Sequence, residues 1–224
     1  MPMSAVKKRH AAKVLGILQN AYPDATIALK FGSLIHLLVA IILSAQCTDK
    51  KVSQVTETLF KKYKTVDDFA DADSKTFEQE IRQTGFYRAK TRNIIAAAKM
   101  LRKEFRGKVP KTMEEILRLP GVARKTANVV LGNAYGVVEG IAVDTHVRRL
   151  SQRLGFSTHE DPVKIEQDLM QLFSKKDWFK LTYTLIDHGR VVCKAPTPKC
   201  EVCPVMKLCP VGRKRLGLTV LPKE

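Results

Sequence analysis

The sequence predicts an all-α protein. Apolar residues recur at spacings of three and four in almost every segment of the 224 residues, which is the period of an amphipathic helix. Glycine and proline fall mainly between these segments, where helices begin and end. Strand-like alternation occurs only briefly, over residues 136–143. The length allows one large domain or two small ones, with a core that needs no disulfides.

Apolar periodicity predicts four helices in the first half of the chain. The second of them is apolar on most faces and should be buried, whereas the third has a single apolar stripe. The fourth carries isoleucine, alanine and leucine at helical spacing. They are predicted over residues 5–21, 33–45, 49–63 and 88–105.

Capping residues predict further helix ends. Ser74 is typical of an N-cap, and Gly85 is placed to end the helix that follows. Residues 112–115 fit a capping box, in which a threonine and a glutamate satisfy each other's backbone N–H groups. Asp161 precedes a proline, which a helix tolerates in its first turn, so another helix should begin there.

The charge is unusual for an otherwise ordinary globular composition. Lysine and arginine total 39 against 22 aspartate and glutamate, a formal net charge of +17. Residues 82–125 hold 13 basic and 3 acidic residues, so this segment alone carries +10. Such clustering favours a polyanion-binding face. The alternative is a solubilising charge with no partner.

The sequence predicts no membrane span and no signal peptide. The longest apolar run, residues 37–43, has seven residues, whereas a spanning helix needs about 20. Lys13 interrupts the apolar stretch that a signal peptide would require. We therefore expect a cytoplasmic protein with no membrane partner. Its five cysteines then indicate metal binding or catalysis before disulfides.

Four of the cysteines form one cluster with the pattern C-x6-C-x2-C-x5-C. Four thiolates within 17 residues suit a tetrahedral zinc site or a four-iron cluster. Disulfides are a third possibility. The spacing differs from the paired C-x2-C arrangement of zinc ribbons, which favours iron–sulfur. The predicted ligands are Cys193, Cys200, Cys203 and Cys209.

Residues 119–127, with the sequence LPGVARKTA, end one helix and begin another. Proline and glycine force a tight turn, and the helix start directs backbone N–H groups and partial positive charge outward. The segment therefore suits a phosphate and would bind it without reading base sequence. A packing corner between two helices is the alternative.

Several motifs together resemble the endonuclease III family of DNA glycosylases. Residues 119–130, LPGVARKTANVV, are similar to its helix-hairpin-helix, and residues 143–146, VDTH, to the segment that carries its aspartate. Residues 188–190, HGR, followed by the cysteine pattern, resemble its four-iron cluster motif, and LSAQ at 43–46 also matches. The resemblance covers about residues 12–210.

The resemblance implies a two-domain helix-hairpin-helix DNA glycosylase fold. A six-helix barrel containing the hairpin would span residues 27–137, and residues 1–26 and 138–224 would form the iron–sulfur cluster domain. The implied activity is that of a bifunctional glycosylase and abasic-site lyase in base excision repair. Its substrate would be oxidised pyrimidines in duplex DNA, and the implied cofactor is a 4Fe-4S cluster. The protein would be a monomer, associated with the nucleoid through DNA.

The resemblance also assigns residue roles. Lys125 would be the nucleophile that forms a Schiff base, and Asp144 the carboxylate that assists it; their structural alternatives are a phosphate-contacting lysine and an N-cap. Gln46 and Phe86 would fill the space left by a flipped nucleotide, although Phe86 could equally be a core aromatic. The DNA-binding hairpin would comprise Leu119, Gly121, Ala123 and Arg124.

The sequence departs from the family pattern at Ala123, where glycine is usual, and at Phe86, where an aliphatic residue is expected. We expect helical dihedrals at Ala123, which would accommodate its methyl group. Two other functions stay open. One is a mismatch glycosylase acting on thymine or uracil; the other is a non-catalytic DNA-binding module with a zinc site. An adenine-mismatch enzyme is disfavoured because it usually lacks Lys125.

Overall fold

The structure, a computed structural model, describes residues 4–218. This part of the chain is helical and contains no β-strand, which confirms the predicted fold class. Single 3-10 turns lie at Arg82–Thr84 and Cys200–Val202. The α-helices are α1 (Ala5–Ala21), α2 (Leu34–Ser44), α3 (Asp49–Lys62), α4 (Val66–Ala70), α5 (Ser74–Glu80), α6 (Tyr87–Glu104), α7 (Met113–Ile116), α8 (Arg124–Tyr135), α9 (Thr145–Arg153), α10 (Pro162–Leu172), α11 (Lys175–Val191) and α12 (Pro210–Arg215).

The chain divides into two compact units. One comprises Ala28–Glu139, and the other combines residues up to Ile27 with those from Gly140 onward. Among residues 4–218 no helix combines the length and apolar composition that crossing a membrane requires.

Helix α2 forms the centre of the Ala28–Glu139 unit. Nine consecutive residues from Ile35 to Leu43 are buried, and α3, α6 and α8 pack around them. An aromatic cluster extends this core: His36 stacks on Phe60 with ring centroids 4.0 Å apart, and its Nε2 lies 2.9 Å from the carbonyl oxygen of Tyr63. The burial of α2 on all sides fixes the position of its carboxyl end, from which a functional loop leaves.

The second unit has its own core. Helix α1 packs on α10 and α11, and α9 packs on α10, α11 and α12. The apolar stripes of these helices meet without solvent between them. Fully buried members of this core include Val14, Leu18, Val147, Leu150, Phe156, Ile165, Leu169, Leu181 and Leu185.

Two predicted caps are wrong in detail. Asp73, not Ser74, caps α5, because its carboxylate accepts the N–H of Thr76 at 2.8 Å, and α5 ends at Glu80 well before Gly85. At residues 112–115 the threonine hydroxyl caps α7, but the glutamate carboxylate accepts from that hydroxyl and the capping box is not formed. In both cases neighbouring polar residues offer two possible capping arrangements, and the sequence alone does not distinguish them.

The strand-like segment 136–143 is also not a strand. It contains no strand pairing, Gly136 at its start is left-handed, and side chains bond part of its backbone instead of a neighbouring strand. The Ile141 N–H donates to Glu166 Oε1 at 3.1 Å, and the Thr182 hydroxyl donates to the Ala142 carbonyl at 3.4 Å. Alternation of apolar and polar residues indicates which side chains turn inward. A β-strand also requires a neighbouring strand with which its backbone can pair.

Candidate functional site

The predicted hairpin lies between α7 and α8, and its tight turn depends on Gly121. The φ angle of Gly121 is +79°, and a Cβ built there would lie 2.8 Å from the Cβ of Asn93. Both the backbone conformation and the close approach of α6 therefore require glycine. Leu119, just before the turn, is 2% exposed, so its side chain belongs to the core and only its backbone can face a ligand.

Ala123 is the N-cap of α8, and its predicted helical conformation is wrong. Its φ and ψ are −93° and 170°, an extended geometry that any residue adopts. The methyl group therefore introduces no strain where the family usually has glycine. Ala123 provides no side-chain cap for α8, and the positive end of the helix dipole at this place suits an anion.

Arg124 and Lys125 begin α8, directly beyond this cap, and both are exposed. The predicted nucleophile thus lies in the first turn of a helix whose N-cap has no polar side chain. Its side chain is open to solvent and accessible to a large substrate. The sequence motif alone placed Lys125 at a helix start, as observed.

Gln46 and Phe86 share an uncommon backbone conformation. Gln46 follows α2 with φ of +53°, and Phe86 is the N-cap of α6 with φ of +49°. Left-handed dihedrals are uncommon in residues other than glycine, and such strain clusters at functional sites. Phe86 is 64% exposed, so its alternative interpretation as a core aromatic is wrong.

Lys90 is a residue that the sequence interpretation missed. It is 4% exposed, and burial lowers the pKa of its ammonium group. Its Nζ donates to the carbonyls of Leu43 at 2.7 Å and Thr84 at 2.8 Å. A signal was present, since position 90 falls on the buried stripe of α6, where a lysine is unusual.

Asp144 is the N-cap of α9 and is half-buried. Its Oδ1 accepts the N–H of Val147 at 2.8 Å. The charge of Asp144 also acts on Arg149, where it opposes the lowering of the guanidinium pKa by burial. The hydrogen bond to the helix fixes the orientation of the carboxylate, so a structural task and a catalytic task are compatible in one residue.

The four clustered cysteines line one pocket and all carry free thiols. The Arg153 guanidinium lies 3.4 Å from the sulfur of Cys193, and the Gly212 N–H donates to that of Cys209 at 3.3 Å. Burial raises the pKa of the Cys203 thiol to about 11. Within residues 4–218 no three histidine, cysteine or acidic side chains gather closely enough to hold one metal ion. The four predicted ligands Cys193, Cys200, Cys203 and Cys209 line the same pocket, but their side chains are not gathered into a closed ligand set among the residues described.

Comparison with known proteins defines the class of the chain. Residues 39–175 match the family described as HhH-GPD superfamily base excision DNA repair protein. The match includes the hairpin and the α9 N-cap. The fold and the hairpin are thus those of a base excision DNA repair protein of this superfamily.

Individual relatives narrow the class. The chain is 50% identical over 206 residues to endonuclease III of Synechocystis sp., covering 92% of this chain and 94% of the relative. It is 45% identical to endonuclease III of Bacillus subtilis, covering 88% and 90%. A solved structure of a trapped endonuclease III–DNA covalent intermediate, an estranged-adenine complex, matches with a TM-score of 0.89 and 43% identity over 93% of this chain and 98% of that one.

The chain belongs to the endonuclease III family. This confirms the predicted family, the helix-hairpin-helix glycosylase fold and the enzyme class, a DNA glycosylase with abasic-site lyase activity in base excision repair. The same matches favour that function over the mismatch glycosylase and the zinc-containing binding module.

Proposed function

We propose that the protein excises oxidised pyrimidines from duplex DNA and cleaves the resulting abasic site, with Lys125 as the nucleophile. The observation that carries this assignment is the position of Lys125, exposed in the first turn of a helix whose N-cap, Ala123, has no polar side chain. DNA held at this helix start by a backbone phosphate would place a sugar close to the amine. The 43% identical protein trapped as a covalent DNA intermediate supports covalent chemistry of this kind.

The reaction proceeds in two stages. The neutral amine of Lys125 attacks C1′ of the damaged nucleotide, the bond to the base breaks, and the base leaves with the electron pair and takes up a proton. The sugar ring opens to a Schiff base between C1′ and Nζ. Loss of a proton from C2′ then expels the 3′ phosphate by β-elimination, and water releases the lysine.

Asp144 supplies the negative charge that these reaction steps need. Its carboxylate stabilises positive charge developing on the sugar and accepts a proton from the attacking amine. The Val147 N–H donates a hydrogen bond to Oδ1 of Asp144 at 2.8 Å, which fixes the position of that carboxylate oxygen. A carboxylate oriented in this way needs little reorganisation during the reaction.

Gln46, Phe86 and the hairpin hold the DNA. A glycosylase reaches its base only after flipping it out of the stack, and the exposed ring of Phe86 suits a vacated stack because every base presents a flat face. Gln46 offers an amide to the orphaned base. Gly121, Ala123 and Arg124 would grip a phosphate, and Leu119 would contribute its backbone.

We also propose that the four clustered cysteines hold a 4Fe-4S cluster. The donor set fits, because four thiols line one pocket and every pair among them interacts electrostatically. The Gly212 N–H and the Arg153 guanidinium would stabilise thiolate charge. When bound, the cluster acts as a cross-link that orders the basic loop containing its ligands.

The proposed organisation follows from these assignments. Residues 27–137 form the barrel domain, and residues 1–26 with 138–224 form the cluster domain. The partner is double-stranded DNA containing a damaged base or an abasic site, bound by a monomer in the cytoplasm and on the nucleoid. The clustered positive charge of residues 82–125 supports this partner.

Borohydride trapping tests the nucleophile. Wild-type protein mixed with abasic duplex DNA should form a covalent complex on reduction, and Lys125→Gln should form none. The control is Lys99→Gln, which removes the same charge from an exposed position of α6 and should trap like wild type. Trapping by Lys125→Gln at the wild-type level would show that another amine reacts.

An excision panel tests the substrate. The panel comprises duplexes containing thymine glycol, dihydrouracil, uracil or mismatched thymine. We expect thymine glycol and dihydrouracil, the oxidised and the reduced pyrimidine, to be excised faster than the other two bases. Preferential removal of mismatched thymine would replace this proposal with the mismatch activity.

Iron and sulfide analysis tests the cluster. Wild-type protein should be brown and contain iron and acid-labile sulfide, and Cys203→Ser should lose both. Cys47→Ser, which changes the cysteine outside the cluster, should keep the colour. A colourless wild-type preparation containing zinc would overturn the assignment.

A further inference from the structure

Lys90 is a buried cation without an acidic partner among its hydrogen bonds. Its two acceptors are backbone carbonyls, those of Leu43 and Thr84. An ammonium group removed from water is costly unless it is hydrogen-bonded. A lysine kept at such a place in α6 therefore needs a reason beyond packing.

The two acceptors lie at helix ends. Leu43 is in the last turn of α2, and Thr84 ends the 3-10 turn Arg82–Thr84. Carbonyls at helix C-termini lack intrahelical partners and carry partial negative charge. The single ammonium group of Lys90 thus joins two chain segments at the points where each leaves its helix.

Both segments lead directly to the exposed left-handed residues. Gln46 follows Leu43 by three positions, and Phe86 follows Thr84 by two. The backbone of Lys90 also bonds to the second of these, because its N–H donates to the Phe86 carbonyl at 3.0 Å. Strained dihedrals persist only where the surrounding structure fixes them, and Lys90 contacts both segments.

We propose that Lys90 is a positioning residue that holds Gln46 and Phe86 at a fixed separation, so that the two enter the DNA stack together. This inference rests on the proposed function. Lys90 itself is buried and does not touch DNA. Its effect should therefore be confined to the step in which a base leaves the stack.

The test compares two reactions of Lys90→Met, which keeps most of the unbranched side chain and removes the donors. Excision of thymine glycol requires base flipping, whereas cleavage of a preformed abasic site starts without a base to extrude. We expect single-turnover excision to fall at least ~10-fold and abasic-site cleavage to stay within about twofold of wild type. Lys61→Met, an exposed lysine of α3 outside the basic segment 82–125, should leave both rates unchanged.

A spectroscopic measurement separates positioning from general damage. With 2-aminopurine beside the lesion, wild-type protein should raise its fluorescence on binding, and Lys90→Met should raise it less. In the Lys90→Met background, Phe86→Ala should have little further effect on excision. Equal loss of both reactions, or no loss of either, would overturn the inference.

Two further measurements distinguish failure of the inference from misfolding of the variant and from failure of the proposed function. If Lys90→Met fails to fold, Lys90→Gln, whose amide can still donate to one carbonyl, should show the same split to a smaller degree, and an even loss would overturn the inference. If wild-type protein itself neither excises nor cleaves, the proposed function fails, which is visible before any variant is made.

Discussion

At the scale of single residues, Asp144 shows how one side chain can serve the fold and the reaction. It caps α9 through one oxygen, a role that any good capping residue can fill. The proposed catalytic role needs a negative charge as well. The two roles can therefore be separated by substitution.

Asp144→Asn should keep the cap and lose the charge. Because asparagine caps helices about as well as aspartate, the free energy of unfolding should change by less than about 0.5 kcal/mol, whereas Asp144→Ala should cost about 1 kcal/mol. Excision should fall roughly 100-fold or more in both variants, the usual range for a lost acid–base group. Urea denaturation and single-turnover excision measure the two effects. An asparagine variant with wild-type activity would leave Asp144 with only its structural role.

At the scale of elements, the hairpin depends on how closely α6 approaches it. A Cβ on residue 121 would lie only 2.8 Å from the Cβ of Asn93, and the φ angle of Gly121 is positive. The two constraints are independent, since one is steric and the other is local to the backbone.

Gly121→Ala should therefore destabilise the protein for two separable reasons. The positive φ alone should lower the free energy of unfolding by about 1–2 kcal/mol, and the contact with Asn93 should add to this. In an Asn93→Gly background, which also removes the Cβ of residue 93, the steric part should disappear and the backbone part remain. Thermal denaturation of the four proteins in this cycle measures both. A cycle with no coupling would show that the Asn93 side chain moves aside without cost.

The start of α8 offers a second prediction, in which stability and binding move in opposite directions. Ala123→Asp should supply the side-chain cap that alanine lacks and stabilise the protein by about 0.5–2 kcal/mol. The same carboxylate would occupy and repel the place of a DNA phosphate, so duplex affinity should fall. Ala123→Ser is the matched control, because it caps without charge and should weaken binding less. A duplex affinity that is higher in Ala123→Asp than in wild type would show that no DNA phosphate binds at this site.

At the scale of the whole molecule, charge dominates. The excess of 17 positive charges is concentrated in the segment that carries Phe86, the hairpin and Lys125. Some of these charges have close acidic partners: Arg88 lies 4.0 Å from Glu78, Arg102 pairs with Asp71 at 2.8 Å, and Arg118 pairs with Glu104.

Duplex binding should consequently weaken steeply with salt. Neutralised phosphates release counterions, so the logarithm of the affinity should fall linearly with the logarithm of salt concentration, by about 0.9 per phosphate contacted. Fluorescence anisotropy at salt concentrations between about 50 and 200 mM measures this slope. Lys125→Gln should reduce the slope by about one if its ammonium contacts a phosphate in the bound state. A flat profile would mean that the charge serves solubility.

Most helices were predictable because their signals are local. Residues 5–21 and the helix after Asp161 are observed as predicted, since apolar period and capping chemistry act within a few residues. Local signals failed where two neighbours compete, as at Asp73 and Ser74, and where a partner strand was required, as over 136–143. The spacing predicted the four proposed cysteine ligands, and the motif predicted the position of Lys125 at a helix start; their proposed roles stay predictions.

The sequence alone determined the helical class, the family, the lysine at a helix start and the set of four clustered cysteines. Each of these depends on contiguous residues whose chemistry is readable in order. Tertiary structure decided the rest: that Phe86 faces solvent, that Ala123 is extended, and that Lys90 joins two distant helix ends. These depend on carbonyls and side chains separated by up to 47 positions in the chain, and only the packing of α6 against α2 brings such groups within hydrogen-bonding distance.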